Sequence, residues 1–259
     1  MTCQEIMEQI ERDFPKSYAM EWDNVGLLAG RAGKEIRSIY IGLDATGQVI
    51  REAVREKADL LLTHHPLIFQ GLKCVTDQDF IGERVLTLMR NDISYYAMHT
   101  NYDVVRMGAL AAERLGWSTS RPLEPVGKEE GAPGLGQIAK LEQEITLEEL
   151  SRQVKEAFGL PDVRVFGDPR MKVERAAILP GAGKSAIPSA LAQSAKVLVT
   201  GDVGHHEGID AAAQGLAVID AGHYGIEHIF VEDLSKYAKE HFPEARVITE
   251  PVRHPFWTI

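Results

Sequence analysis

The sequence predicts an α/β protein of two lobes, each built on a mixed, largely parallel sheet. Three observations lead there. Short apolar runs alternate with amphipathic stretches of helical period along almost the whole chain, the pattern of strands joined by crossover helices. A Pro- and Gly-rich passage, Arg121 to Gly136, interrupts that alternation near the middle. The length, 259 residues, allows one or two domains at ~150 residues each, and no fixed-period repeat divides it otherwise.

The elements follow in order. Thr2 and Glu5 stand at capping-box spacing. Cys3, Ile6, Met7, Ile10 and Phe14 then share one helical face, and Pro15 ends the helix. Met20 to Gly30 holds too much Gly, Asn and Asp for regular structure. Ile39 to Leu43 reads as a strand ending at Asp44, and Gln48 to Glu56 as a helix. Leu60-Leu61-Leu62 is a short buried strand running into an irregular Thr63-His64-His65-Pro66. Phe80 to Arg90 is helical, Ile93 to Met98 a strand ending at His99, and Ala109 to Leu115 helical. Beyond the Pro/Gly passage, strands are expected at Gln137–Leu141, Val163–Phe166, Ala176–Leu179, Val197–Thr200, Leu216–Ile219 and Arg246–Ile248. Helices are expected at Leu147–Phe158, Ser185–Ala192, His206–Gln214 and Tyr224–Ala238. We assign residues 1–125 with roughly 229–259 to a discontinuous first lobe and 126–228 to the second.

Composition narrows the function classes. Hydrophobic residues make up 44% and charged residues 25%, ordinary values that exclude disorder, collagen and coiled coil for the whole chain. The net charge of -10 disfavours nucleic acid as the main partner, since such binding rests on Lys and Arg neutralising phosphates. The two cysteines, Cys3 and Cys74, form no CxxC, which excludes a zinc ribbon. No apolar run approaches the ~18 residues of a membrane span, and the acidic N-terminal stretch has no signal-peptide core, so a cytoplasmic protein is expected.

The histidines carry the chemical signal. His64 and His65 follow one apolar strand, His99 and Asp103 another, His205 and His206 a third, and His223 with Glu227 a fourth. Ligands of open α/β sheets bind beyond the carboxyl ends of strands. Imidazoles and carboxylates without thiolates suit Zn, Mn, Fe, Co or Ni. His223 and Glu227, at i and i+4, face the same way on a helix and can reach one ion or bridge two. Neighbouring His64 and His65, with diverging side chains, suit two metals ~3.5–4 Å apart. Each feature also has a plainer reading, a hydrogen-bonded strand-end histidine or a solvated His–Glu pair, and both readings stand at this point. His228, His241 and His254 receive only the plainer one. Pro180-Gly181-Ala182-Gly183-Lys184-Ser185 ends like a phosphate-binding P-loop, but the required glycine five positions before Gly183 is Ile178. We read it as a tight strand-to-helix turn.

Six motifs occur together and in order: EWDNVGLL (Glu21 to Leu28), LDAT (Leu43 to Thr46), LLLTHHPLIF (Leu60 to Phe69), HTNYD (His99 to Asp103), TGDVGHHE (Thr200 to Glu207) and DAGHYGIE (Asp220 to Glu227). In these the chain resembles the Nif-three-like family of dinuclear-metal proteins, of the YbgI type, whose members carry the label GTP cyclohydrolase 1 type 2. The resemblance implies a two-lobed α/β fold with the metal site between the lobes. It implies two divalent metal ions per chain, held by His64, His65, Asp103, His223 and Glu227, and a ring-shaped homohexamer. It also implies the short form of the family, without a mid-chain insert domain. One departure is Asp202, where the family more often has Glu.

The label implies hydrolytic opening of the guanine imidazole ring of GTP by a metal-activated water. His99, His205 or His206 would shuttle the proton. The broader expectation is a dinuclear metal-dependent hydrolase acting on a nucleotide or phosphorylated small molecule. The alternative is a non-catalytic metal-binding regulator, metallochaperone or ring-shaped interaction protein.

Overall fold

A computed structural model describes residues 1–118, 120–127, 129, 131–257 and 259. The chain divides into two units. Unit 1 comprises Met1–Tyr102 and Phe230–Arg253; unit 2 comprises Asp103–Ile229 and His254–Ile259. Among the described residues the strands are β1 (Gly26–Ala29), β2 (Ser38–Asp44), β3 (Leu60–His65), β4 (Ser94–Ala97), β5 (Ser120–Pro125), β6 (Gly134–Thr146), β7 (Arg164–Phe166), β8 (Lys172–Ala182), β9 (Val197–Gly201), β10 (Ala217–Asp220) and β11 (Arg246–Thr249).

Unit 1 opens with the helix Cys3–Asp13, and Thr2 and Glu5 form the capping box that satisfies its first N–H groups. Its apolar face buries Cys3, Ile6, Met7 and Ile10. Complete burial of a side chain such as Ile6 or Ile10 is worth about 1.5–3 kcal/mol. The sheet order is β1-β4-β3-β2-β11. β11, β2, β3 and β4 are parallel, while β1 runs antiparallel along β4. The helices Gly47–Arg55 and Phe80–Arg90 contribute Val49, Ile50, Ala53, Val85 and Leu88 to a core shared with Tyr40, Leu61 and Tyr95 of the sheet. β1 lies in the stretch expected to be irregular. It is a short edge strand that pairs with β4 alone, so neither length nor alternation marks it in the sequence.

Unit 2 holds a sheet of order β5-β6-β8-β9-β10-β7. β8, β9 and β10 are parallel; β5, β6 and β8 pair antiparallel, and β7 closes the other edge antiparallel to β10. Its core joins Leu123, Ile138, Ala177, Leu198, Leu216 and Val218. The boundary falls at 102/103 and not at 125, because β5 pairs with β6 and belongs to the second sheet. The Pro/Gly-rich passage therefore holds most of β5 and the start of β6, which pair with each other, and Lys128 and Glu130 between them lie outside the described residues. Pro122 and Pro125 are tolerated because β5 is an edge strand, where a missing N–H breaks no inner ladder. No described helix is long and apolar enough to cross a membrane.

Candidate metal centre

In unit 1 the parallel pairing of β2, β3 and β4 aligns three carboxyl ends. β3 delivers His64 and His65, the latter in register with Asp44 at the end of β2, and the turn after β4 delivers Met98 and His99. His64 is fully buried, its ring 5.0 Å from that of Phe230. The two neighbouring histidines were expected in an irregular segment with diverging side chains. They are instead the last residues of β3, and their rings stand 4.8 Å apart, tilted by 50°. The His65 carbonyl accepts from the Thr63 and Tyr95 hydroxyls at 2.9 and 3.0 Å, which fixes the backbone where the strand ends.

The three strand-end imidazoles of this unit, His64, His65 and His99, are anchored in the same way. Nδ1 of His64 lies 2.9 Å from the Met98 carbonyl, Nδ1 of His65 2.8 Å from Asp44 Oδ1, and Nδ1 of His99 2.9 Å from Asp23 Oδ1. An acceptor facing Nδ1 keeps the proton there, so in each neutral ring Nε2 carries the lone pair. One ring nitrogen of each lies within 4.8 Å of the other two. The Asp23 side chain is enclosed, and burial alone would raise its pKa. Hydrogen bonds from His99 and from the Thr100 hydroxyl and amide outweigh burial and hold the carboxyl well below the usual carboxylate range.

Unit 2 gathers a carboxylate-rich set of its own. His223 and Glu227 are the first and last residues of a short helix, His223–Glu227. His223 Nδ1 lies 2.8 Å from Asp202 Oδ2, and its Nε2 lies 2.9 Å from Glu227 Oε2. Glu227 is 3% exposed. Asp103, first residue of a π-helical turn (Asp103–Met107), brings a carboxylate oxygen within 4.8 Å of one of Glu227. Space for Glu227 comes from Gly181. A Cβ there would lie 2.3 Å from Glu227 Oε1, and the backbone φ of +82° is itself one that side chains resist. Asp202 also has positive φ, at 54°, a region that Asp enters more readily than most residues.

His205 and His206 begin the helix His205–Ala213 and are exposed, outside the ligand groups found among the described residues. The P-loop look-alike is the end of β8 followed by a 3₁₀ turn, Gly183–Ala186, whose Gly183 N–H donates to the Thr200 hydroxyl at 2.9 Å. Sequence reasoning missed its real contribution, the clearance at Gly181. It also missed Asp23, Asp44 and Asp202 as holders of histidines. The one available signal was their presence in the matched motifs. A cleft of about 390 Å³ in unit 2 is lined by Asp202, Arg164, Tyr224, His254 and Phe256 among others; His254 is exposed, as expected, and borders this cleft.

Divalent ions fit both sets. The donors are imidazole nitrogens and carboxylate oxygens; Cys3 is buried in its helix, Cys74 is exposed, and neither joins a ligand group. The 2.9 Å between His223 Nε2 and Glu227 Oε2 is what two metal bonds of about 2.1 Å span at roughly a right angle. Two neighbouring carboxylates, one of them buried, repel unless a proton or cation lies with them.

Comparison with known proteins identifies the family and agrees with the fold. The description "Duf34/NIF3 (NGG1p interacting factor 3)" matches residues 1–254. A "GTP cyclohydrolase 1 type 2 homolog" of Clostridium perfringens is 31% identical over 262 aligned residues, covering 99% of both chains. One of the same name from Clostridium acetobutylicum is 33% identical, covering 91% of this chain and 89% of its own. The crystal structure of a Staphylococcus aureus hypothetical protein superposes with a TM-score of 0.93 at 28% identity, covering 100% of this chain and 99% of that one. Reduced HcgD from Methanocaldococcus jannaschii superposes with a TM-score of 0.83 at 31% identity, covering 96% and 97%. With a family match across nearly its whole length and relatives above 30% identity, the chain belongs to the Duf34/NIF3 family.

Proposed function

We propose that this protein is a metal-dependent hydrolase that holds two divalent ions through His64, His65, Asp103, His223 and Glu227 and acts on a nucleotide or phosphorylated small molecule. The observation that carries the reading is the common anchoring of His64, His65, His99 and His223. Each has Nδ1 on an acceptor, which orients Nε2 as a ligand nitrogen or proton acceptor. Such paired ions, when bound, lower the pKa of water towards ~7 and so supply hydroxide at neutral pH.

The chain's own residues divide the remaining work. Asp23 fixes the tautomer and direction of His99, which takes up the proton released during hydrolysis. Asp202 and Asp44 do the same orienting work for His223 and His65. The unit 2 cleft falls within the ~300–1,000 Å³ range of small-ligand sites, and Asp202 lines it. The names of the relatives point to GTP as the first substrate to test. The homohexamer is part of the proposal and rests on the family resemblance; light scattering of the purified protein checks it.

The test is metal content by elemental analysis, on protein purified without chelator or affinity nickel. We expect close to two ions per chain, and loss of metal and of nucleotide hydrolysis together in His64→Ala and Glu227→Gln. Full metal content and full activity in Glu227→Gln would sink the assignment. Two ions per chain with no hydrolysis across a nucleotide panel would favour the non-catalytic metal-binding reading.

A further inference from the structure

Beside the unit 1 histidines stand two large aromatic side chains that the fold leaves in solvent. Trp22 is 59% exposed and Phe69 is 48% exposed. Their ring centroids are 5.7 Å apart and tilted by 35°. Both meet the ring of His99 edge-on, Trp22 at 6.0 Å and Phe69 at 6.2 Å. Scattered exposed apolar residues need no explanation. These two differ because they form a pair, adjoin the histidine cluster and sit on segments that are fastened in place.

The fastening is specific. The Met20 N–H donates to the Thr100 hydroxyl at 2.9 Å, and Asp23 accepts from His99 and Thr100, so the backbone on both sides of Trp22 is fixed. The Asn24 side-chain amide donates to the Ile68 carbonyl at 2.5 Å, which ties the segment bearing Phe69 to the same stretch. Rigid aromatic faces turned to water offer stacking area at low entropic cost.

We propose that Trp22 and Phe69 form a stacking platform for the planar nitrogen heterocycle of the substrate, laid beside His99. The proposal rests on the hydrolase reading above and narrows it to substrates with an aromatic base. The rings are too close for a base to enter between them, since a sandwich needs about 7 Å, twice the ~3.5 Å contact distance. The base therefore lies across their outer faces, in the manner of single-stranded bases on aromatic platforms.

The experiment uses metal-loaded, full-length protein carrying Trp257→Phe, which removes an exposed tryptophan and leaves Trp22 and the buried Trp117. GTP, guanosine and cytidine are titrated against ring-free tripolyphosphate and ribose 5-phosphate, following tryptophan emission and calorimetric heats. We expect GTP and the nucleosides, but not tripolyphosphate, to change the emission. Trp22→Ala and Phe69→Ala should each weaken GTP binding by about ten- to a hundredfold, with tripolyphosphate binding and metal content unchanged, and Trp22→Phe should recover most of it. Unchanged GTP affinity in both alanine variants, equal weakening of GTP and tripolyphosphate, or no binding of any base by the parent protein would each overturn the platform. Metal content is read on the same samples. A parent protein without metal that still binds bases through Trp22 would overturn the hydrolase reading and keep the platform.

Discussion

The two units place chemistry at the same topological position and equip it in opposite ways. In each, side chains gather at the carboxyl ends of parallel strands, β2, β3 and β4 in unit 1 and β8, β9 and β10 in unit 2. Unit 1 presents imidazoles whose orientation is set from behind by Asp44, Asp23 and a backbone carbonyl. Unit 2 presents the Glu227 and Asp103 carboxylates with a single imidazole, and makes room for them by omitting a side chain at Gly181. Neutral nitrogens give direction and metal preference; carboxylates give the negative charge that holds a dication. Imidazoles alone would bind a dication weakly and selectively, and carboxylates alone would take up hard cations such as Mg or Ca without discrimination.

This contrast breaks most visibly at Gly181. Gly181→Ala leaves His64, His65 and His99 of unit 1 and their anchors unchanged in sequence. It drives a methyl group into Glu227 Oε1 and imposes a side chain on a positive φ. On the proposed assignment of Glu227 as a ligand, displacing it outright should exceed the roughly 10–100-fold loss typical of removing a residue that only supports one. We expect metal binding to fall by more than a hundredfold and hydrolysis with it, while the circular dichroism spectrum is kept. If Gly181→Ala binds metal normally, Glu227 is not a ligand and the division of labour between the units is wrong.

A finer comparison sets Asp23 against Asp202, each the holder of one histidine. Asp23 is enclosed and makes three further hydrogen bonds in addition to its contact with His99, whereas Asp202 is a 60% exposed side chain on a strained backbone. Asp202→Ala should therefore lower metal affinity about 10–100-fold with little change in stability. Asp23→Ala should chiefly destabilise the fold, because it strands buried donors at about 1–3 kcal/mol each. The Asp23 carboxyl is held below its ordinary pKa, so its contribution is present above the unfolded value of ~3.9 and is lost as the pH falls through the folded one. Urea melts at pH 7 and pH 3 check both statements: the stability gap between parent and Asp23→Ala should shrink at the lower pH.

These cases also show which features the sequence made legible. Strand–helix alternation, the capping box at Thr2, and the histidines at strand ends follow from local rules, and so they could be read directly. The groups that orient those histidines could not. Asp23 and His99 are far apart in sequence, and only the pairing of β1 with β4 and the folding of the Met20–Asp23 turn onto Thr100 bring them together. Gly181 was hidden for a different reason. Its function is an absence of atoms beside Glu227, and the surrounding Gly-Ala-Gly-Lys-Ser suggested a phosphate loop instead. β5 was concealed by its prolines, which on an edge strand signal a position in the sheet and not a break in it.

The subtlest difference between the units concerns charge held in reserve. Unit 1 carries few acidic groups among its clustered imidazole nitrogens but keeps them directly behind. Glu250, at the carboxyl end of β11, is 7% exposed and accepts the Leu43 N–H at 2.6 Å, beside the strand that ends in Asp44. Burial pushes its pKa up to about 7, the nearby Asp44 charge adds to the rise, and the Leu43 amide opposes it. The folded state therefore binds a proton that the unfolded chain, with an ordinary value near 4.3, gives up earlier. The sign follows: the favourable contribution is present below the unfolded pKa and is lost as the pH rises through about 7. Glu250→Gln keeps an acceptor for Leu43 and removes the titration. It should leave stability near pH 4.5 almost unchanged and raise it at pH 8 by an amount on the order of 1–3 kcal/mol, flattening the curve between. Urea midpoints across that range decide the matter. A parent protein whose stability is level from pH 5 to pH 8 would mean that Glu250 is ionised in the fold and that unit 1 holds its negative charge as openly as unit 2.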